Sequence, residues 1–259
     1  MSLFAIKWST QPKAFGVFHI GGILFAILLG ILGYYFGKKY SNENYKRKTD
    51  AALSIIGASL IILEIIRQLF VVFVVCEGKY SIEYIPFQIC DLASYMLCSI
   101  YFLKNIKIKN AFLGFVAFFS TGSALFYFTK PVAALNAEYI YLSINSFFWH
   151  ATLIGVGIFT IVSYSLCKNG GYKSLINGYY CWLICAVIAL IVNETCNIID
   201  PNTSINLFYI NSKFETFYPL LSSIFNPYPR PYFIYFIAFC LYYALGGLLI
   251  YSLARLLDK

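Results

Sequence analysis

Charge is what this chain has least of. Asp, Glu, Lys and Arg make up only 12% of its 259 residues, and there are two histidines and two methionines. The longest polar stretch, about 197–231, is too short for a water-soluble domain, so a globular protein with a membrane anchor is excluded. No Cys-x-x-Cys pair and no His-rich spacing occurs, which excludes the usual zinc site, and no metal or other cofactor is expected. The eight cysteines (Cys76, Cys90, Cys98, Cys167, Cys181, Cys185, Cys196, Cys240) are scattered through or beside apolar runs and form no disulfide framework. Internal repeats are not evident, so an inverted-repeat transporter gains no support. The first apolar run lacks a charged leader and a small-residue cleavage site, so it is expected to stay as a mature helix.

What the chain has in abundance is apolar sequence: 60% hydrophobic residues, 20% aromatic ones and a mean hydropathy of +0.73. Seven runs of about twenty residues each suit a hydrocarbon slab of roughly 30 Å crossed at about 1.5 Å per residue. They lie near 17–37, 51–76, 84–103, 111–129, 139–166, 174–196 and 232–254. The expected fold is all-α: a polytopic membrane protein with one seven-helix domain spanning 1–259. The richness in Ile, Asn, Lys, Tyr and Phe suggests an AT-rich, bacterial genome.

The formal net charge of +8 would suit nucleic acid in a soluble protein, but its placement argues otherwise. Spans alternate sides, so loop charges can be counted by face. One face carries Lys7, Lys13, Lys79, Lys130, Lys213 and Arg230, six in all. The other carries Lys38, Lys39, Lys46, Arg47, Lys48, Lys104, Lys107, Lys109, Lys168, Lys173, Arg255 and Lys259, twelve in all. Basic residues mark the cytoplasmic side, so the N-terminus is expected outside and the C-terminus inside a cell membrane crossed several times. The Lys38–Lys48 cluster faces anionic lipid heads, which makes membrane lipids the expected partners and removes the case for nucleic acid. No feature sets an oligomeric state.

Function must then come from the few polar groups at membrane depth, where an unpaired charge costs several kcal/mol. The second run holds Glu64 and Arg67 one turn apart. The third opens Pro86-Phe-Gln-Ile-Cys-Asp91, with Pro86 expected in the first helical turn and Gln88, Asp91 and Tyr95 on one stripe. The fifth carries His150 with Ser146 one turn earlier, the sixth ends with Asn193, Glu194 and Asn197, and the first opens with His19. By helical rise Cys90 lies roughly 9 Å below the outer face, His150 roughly 16 Å and Glu64 roughly 18 Å. The inner half reads as almost purely apolar, so one cavity open towards the outside is expected.

Plainer readings exist for each group. Glu64 with Arg67 suits a structural ion pair, and Cys90 suits a packed thiol. Asn193 and Asn197 suit helix-end caps or interhelical glue, and His150 suits a hydrogen bond to a neighbouring helix. Their clustering on one side favours function. An imidazole beside a thiol can take its proton and give a reactive thiolate, and acyl transfer is the natural reaction of such a pair.

These motifs resemble one family. Pro86-Phe-Gln-Ile-Cys-Asp91, Glu64 with Arg67, Phe148-Trp-His150, Asn193 and Pro229-Arg-Pro-Tyr232 are similar, in order and spacing, to the YwaF / TMEM164 family of seven-helix membrane proteins. The family reads Leu-His-Leu-Cys-Asp or Leu-Gln-Leu-Cys-Asp at the third helix, and Gln88 follows the second form. Its Asn-Tyr motif is matched loosely by Asn206-Leu-Phe-Tyr209. The vertebrate branch moves fatty acyl chains between phospholipids through a conserved cysteine. The resemblance therefore implies Cys90 as that cysteine, His150 as its partner, and Glu64, Arg67, Gln88, Asp91, Asn193 and Asn206 as binding or orienting groups. The competing expectations are a small-solute or proton-coupled carrier with the same polar cavity, in which Cys90 merely packs, and a receptor-like sensor. A carrier would need polar groups continuing into the cytoplasmic half.

Overall fold

A computed structural model describes residues 5–168, 171–216, 218–226 and 231–257; among these, the regular elements are all helices, joined by turns and loops, with one isolated antiparallel bridge, Lys7 to Tyr139. The helices in chain order are α1 (Val17–Lys39), α2 (Lys46–Phe70), α3 (Ile89–Ser99), α4 (Ile106–Gly114), α5 (Thr121–Thr129), α6 (Val132–Leu135), α7 (Ile140–Ser163), α8 (Tyr172–Ile199), α9 (Pro219–Phe225) and α10 (Tyr232–Leu257). A wide π turn at Val71–Val75 prolongs α2, and a second at Phe115–Ser120 joins α4 to α5 as one continuous rod. Six of the resulting helices are long and apolar enough to cross a membrane.

The third predicted span departs from expectation. Its helix has only 11 residues, or about 16 Å at helical rise, half the thickness of a bilayer core. The chain still covers the missing depth. Gln68 Nε2 near the end of α2 donates to the Tyr84 carbonyl at 2.6 Å, whereas near its start Ser54 Oγ donates to the Leu97 carbonyl and accepts from the Tyr101 amide. Arg47 meets the Tyr101 hydroxyl at 3.0 Å. The segment 84–101 therefore runs antiparallel along α2 over about 30 Å, the rise from Arg47 to Arg67. Its entry is a single 3₁₀ turn at Ile82–Tyr84 followed by extended backbone. Pro86 belongs to that entry and not to the first helical turn, because the residue before a proline is held out of the α region: Ile85 has φ −55° and ψ 128°. Close approach follows from Gly57, where a methyl group would lie 2.2 Å from the Cys98 amide nitrogen.

α1 lies along α7 through a second small-residue contact, since a methyl on Gly33 would lie 2.2 Å from the Gly155 carbonyl oxygen. Trp149 and Trp182 are buried, inside the bundle and not in an interfacial belt. The N-terminal segment is tied to the head of α7 by Trp8 N–H to the Glu138 carbonyl (3.1 Å), Trp8 Nε1 to Ser143 Oγ (2.9 Å) and an exposed Lys7–Glu138 ion pair. His19 is fully buried, with Nδ1 accepting from the Phe15 amide and Nε2 facing the Phe128 carbonyl, each at 2.9 Å. Both its nitrogens are used structurally.

Two expectations are corrected here. The half of the bundle holding the Lys38–Lys48 end is not purely apolar, because Asp50 accepts from buried Lys109 and from the Tyr164 hydroxyl. Lys109 is thus a bundle cation paired inside the protein and leaves the loop count, so the split on that face becomes eleven to six. Two residues of the Pro229-Arg-Pro-Tyr232 motif, 229 and 230, lie outside the described residues.

Candidate functional site

The site is built around a segment that sequence patterning reads only as a polar loop. Residues 203–213 fold back into the bundle between α3, α8 and α10, with Ile205, Leu207, Phe208 and Ile210 buried. Phe208 (φ 54°) and Tyr209 (φ 58°) are both left-handed, a conformation that costs about 1–3 kcal/mol per residue and persists only where surroundings over-determine it. They are held from several sides. Asn193, fully buried on α8, pairs with both backbone groups of Leu207: its Nδ2 donates to the carbonyl (3.0 Å) and its Oδ1 accepts from the amide (2.9 Å). Gln88 does the same from α3, donating to the Asn206 carbonyl (3.1 Å) and accepting from the Phe208 amide (2.8 Å). Asn206 Oδ1 accepts from the Asn211 amide, and Asn211 exchanges a reciprocal pair of 3.0 Å bonds with Asn197. Glu194 accepts from Ser212 Oγ (3.0 Å), and the Tyr232 and Tyr235 hydroxyls of α10 reach the carbonyls of Ile210 and Tyr209.

Gln88 joins this loop to a charged cluster. Its backbone N–H donates to Asp91 Oδ2 at 2.9 Å, closing the first turn of α3. Asp91 lies within electrostatic reach of Glu64 and Arg67. These two form a two-point ion pair, Arg67 Nε to Glu64 Oε2 at 2.8 Å and Nη2 to Oε1 at 2.6 Å. Gln68 adds a bond to Glu64 Oε1 at 2.7 Å. Glu64 is 4% exposed, and the pair also meets the Tyr84 carbonyl, so it faces the α3 entry and not lipid.

The thiol lies next door. Cys90 is the second residue of α3, in the first turn of the helix. Trp149 on α7 donates from Nε1 to the Cys90 carbonyl at 3.4 Å, which sets the residue before His150 against the head of α3. His150 is half-buried, and its Nδ1 is 2.7 Å from the Ser146 carbonyl. A carbonyl can only accept, so Nδ1 carries the proton and Nε2 keeps its lone pair. Tyr127 from α5 stacks flat on the imidazole, with centroids 3.6 Å apart and planes at 3°, and its hydroxyl is anchored on Ser146 Oγ at 2.6 Å. Tyr127, Tyr209 and Tyr243 are all within electrostatic reach of Cys90.

The structure thus assembles Gln88, Asp91, Glu64 and Arg67 into one network, ties Asn193 and Asn206 to it through Gln88, and sets Cys90 beside the α7 turn that carries His150. Sequence reasoning missed Tyr127, and it held Trp149 and Tyr209 only as members of motifs, without a role. Among 23 tyrosines nothing in the pattern singles out the one that clamps the histidine.

Apolar rods of membrane length around a buried polar network define a polytopic, all-helical integral membrane protein. The TMEM164 family model matches residues 11–251, nearly the whole chain, and the protein belongs to that family. No curated protein and no solved structure matches it.

Proposed function

We propose that this protein is a lipid acyltransferase of the cell membrane that works through Cys90. The carrying observation is the orientation of His150: with Nδ1–H bound to the Ser146 carbonyl and the ring clamped by Tyr127, the basic Nε2 is preset to act as general base. Nε2 takes the thiol proton, and the thiolate attacks the ester carbonyl of a glycerophospholipid. The C–O bond breaks, a thioester forms on Sγ, and the departing lysolipid alkoxide takes the proton from His150. The hydroxyl of an acceptor lysolipid then gives its proton to Nε2 and attacks the thioester carbonyl. The C–S bond breaks, and the proton returns to sulfur. Gln88 and Asp91 hold the head of α3, while Asn193 and Asn206 hold the loop that carries Tyr209 beside the thiol.

The test is intact-protein mass spectrometry after incubation with phospholipid membranes. An acyl-sized adduct should map to Cys90, vanish in Cys90→Ser, and form at least tenfold more slowly in His150→Gln. An adduct that survives Cys90→Ser removes the reading.

The buried Asp50–Lys109–Tyr164 cluster supports a second reading, a carrier, because it places charge at the opposite end of the bundle from Glu64 and Asp91. Between the two ends lie fully buried Leu53, Leu97, Ile100 and Phe118, with no charged side chain among them. Solute uptake into vesicles that is abolished by Asp50→Asn, with no acyl adduct on Cys90, would move the carrier ahead.

A further inference from the structure

We propose that the crevice between α1 and α2 binds one acyl chain of an anionic phospholipid of the Lys48-side leaflet, with its phosphate against Lys48 and Tyr40. The proposal is independent of the acyl-transfer reading, because no residue of that site lines the crevice. α1 and α2 are consecutive, yet they barely touch: α1 packs on α7 through Gly33 and Gly155, and α2 packs on α3 through Gly57. The two splay apart over α7, which floors a cavity of about 560 Å3. That volume falls in the range of sites for drug-sized ligands, roughly 300–1,000 Å3.

The walls decide the chemistry. They are apolar along their length, from Phe25 and Phe148, which stack at 5.9 Å and close the deep end, to Phe36 and Phe159. The floor from Phe148 to Phe159 rises about 16 Å, and half of a 30 Å hydrocarbon core is about 15 Å, so the crevice matches one leaflet's acyl chain. Its charge is confined to the shallow end, where Lys48, Thr49 and Tyr40 line it; the deeper Thr152 spends its hydroxyl on the Phe148 carbonyl. Thr49 Oγ1 is already bonded to the Tyr45 carbonyl, whereas the Lys48 ammonium is exposed, over the Tyr45 ring at 5.5 Å. Lys38, Lys39, Lys46 and Arg47 lie around the same end of the helices. An apolar slot one leaflet deep, mouthed by one ammonium group and a phenol, is complementary to a chain bearing a phosphate, and the polybasic surface around it draws such lipids. A zwitterionic lipid would satisfy the slot and not the charge.

Native mass spectrometry of the full-length protein with equimolar phosphatidylglycerol and phosphatidylcholine of identical chains tests this. The parent should retain one phosphatidylglycerol preferentially. Lys48→Gln should cut that preference about fivefold, the loss expected for one surface cation. Lys38→Gln, which removes an equal charge from a residue that does not line the crevice, should cut it by clearly less. Ala52→Phe, which fills the slot, should lose the bound lipid of either kind. Equal retention of the two lipids by the parent, the same loss in Lys38→Gln as in Lys48→Gln, or a folded Ala52→Phe that keeps its lipid would each overturn the proposal. If Ala52→Phe fails to fold, the lysine pair alone decides.

Discussion

Replacing Asn193 with leucine should loosen the reentrant loop before it unfolds the bundle. Asn193 is fully buried, and both of its bonds go to the backbone of one residue, the amide and carbonyl of Leu207, which is itself 2% exposed. Two scales compete for the cost. Side-chain hydrogen bonds in membrane proteins average about 0.6 kcal/mol, giving about 1 kcal/mol for the two. Orphaning a buried donor and a buried acceptor costs about 1–3 kcal/mol each, or about 2–6 kcal/mol together. The larger scale applies, because leucine fills the space and leaves no room for a replacing water. At about 2–4 °C per kcal/mol for a chain of this size, a loss near 3 kcal/mol lowers the melting temperature by about 6–12 °C. Hydrogen exchange should show the Leu207 and Phe208 amides deprotected at temperatures where α7 and α8 stay closed. Asn202→Ala, an exposed change in the same connection, should alter neither. A melting temperature within about 2 °C of the parent, with the two amides still protected, would refute the claim that Asn193 holds the loop.

The remaining expectations concern the frame around the site. Glu64→Leu or Arg67→Leu alone leaves one buried charge and should cost about 3–5 kcal/mol, while the double change should recover most of it, as thermal unfolding in detergent would show. Gly33→Ala forces α1 away from the Gly155 carbonyl and should lower folded yield by size-exclusion chromatography, at a cost of about 1–3 kcal/mol. A cysteine placed at Ser9 should react with an impermeant thiol reagent on intact cells, and one at Asn42 should not. The opposite result would invert the proposed orientation.

Most of the architecture was legible, because seven apolar runs at helical rise can only be a bundle. The short third crossing was not, since periodicity counts apolar residues and is blind to whether Tyr84–Phe87 are coiled or extended. Glu64 and Arg67 were legible as a pair, being one turn apart on one helix. Asp50 with Lys109 was not, because the partners are 59 residues apart and each reads as a loop charge. The loop 203–213 was hidden for a related reason. Its burial depends on bonds from Gln88 and Asn193 to its backbone, which no pattern in its own residues records. His150 stood out by rarity at membrane depth and Cys90 by its place in the Pro86-Phe-Gln-Ile-Cys-Asp91 motif, whereas Tyr127 is common in type and uncommon only in where α5 puts it.

That last placement depends on a backbone irregularity. The π turn at Phe115–Ser120 carries one residue more than an α turn would, and all six of its residues are buried. Everything after it on the rod is therefore rotated by about 100° relative to an uninterrupted helix. Tyr127 faces His150 only because of that phase change, made seven residues earlier and out of contact with the histidine. The clamp is thus set by chain length as much as by residue type: deleting one residue from the turn would keep every side chain of α5 and aim none of them as before.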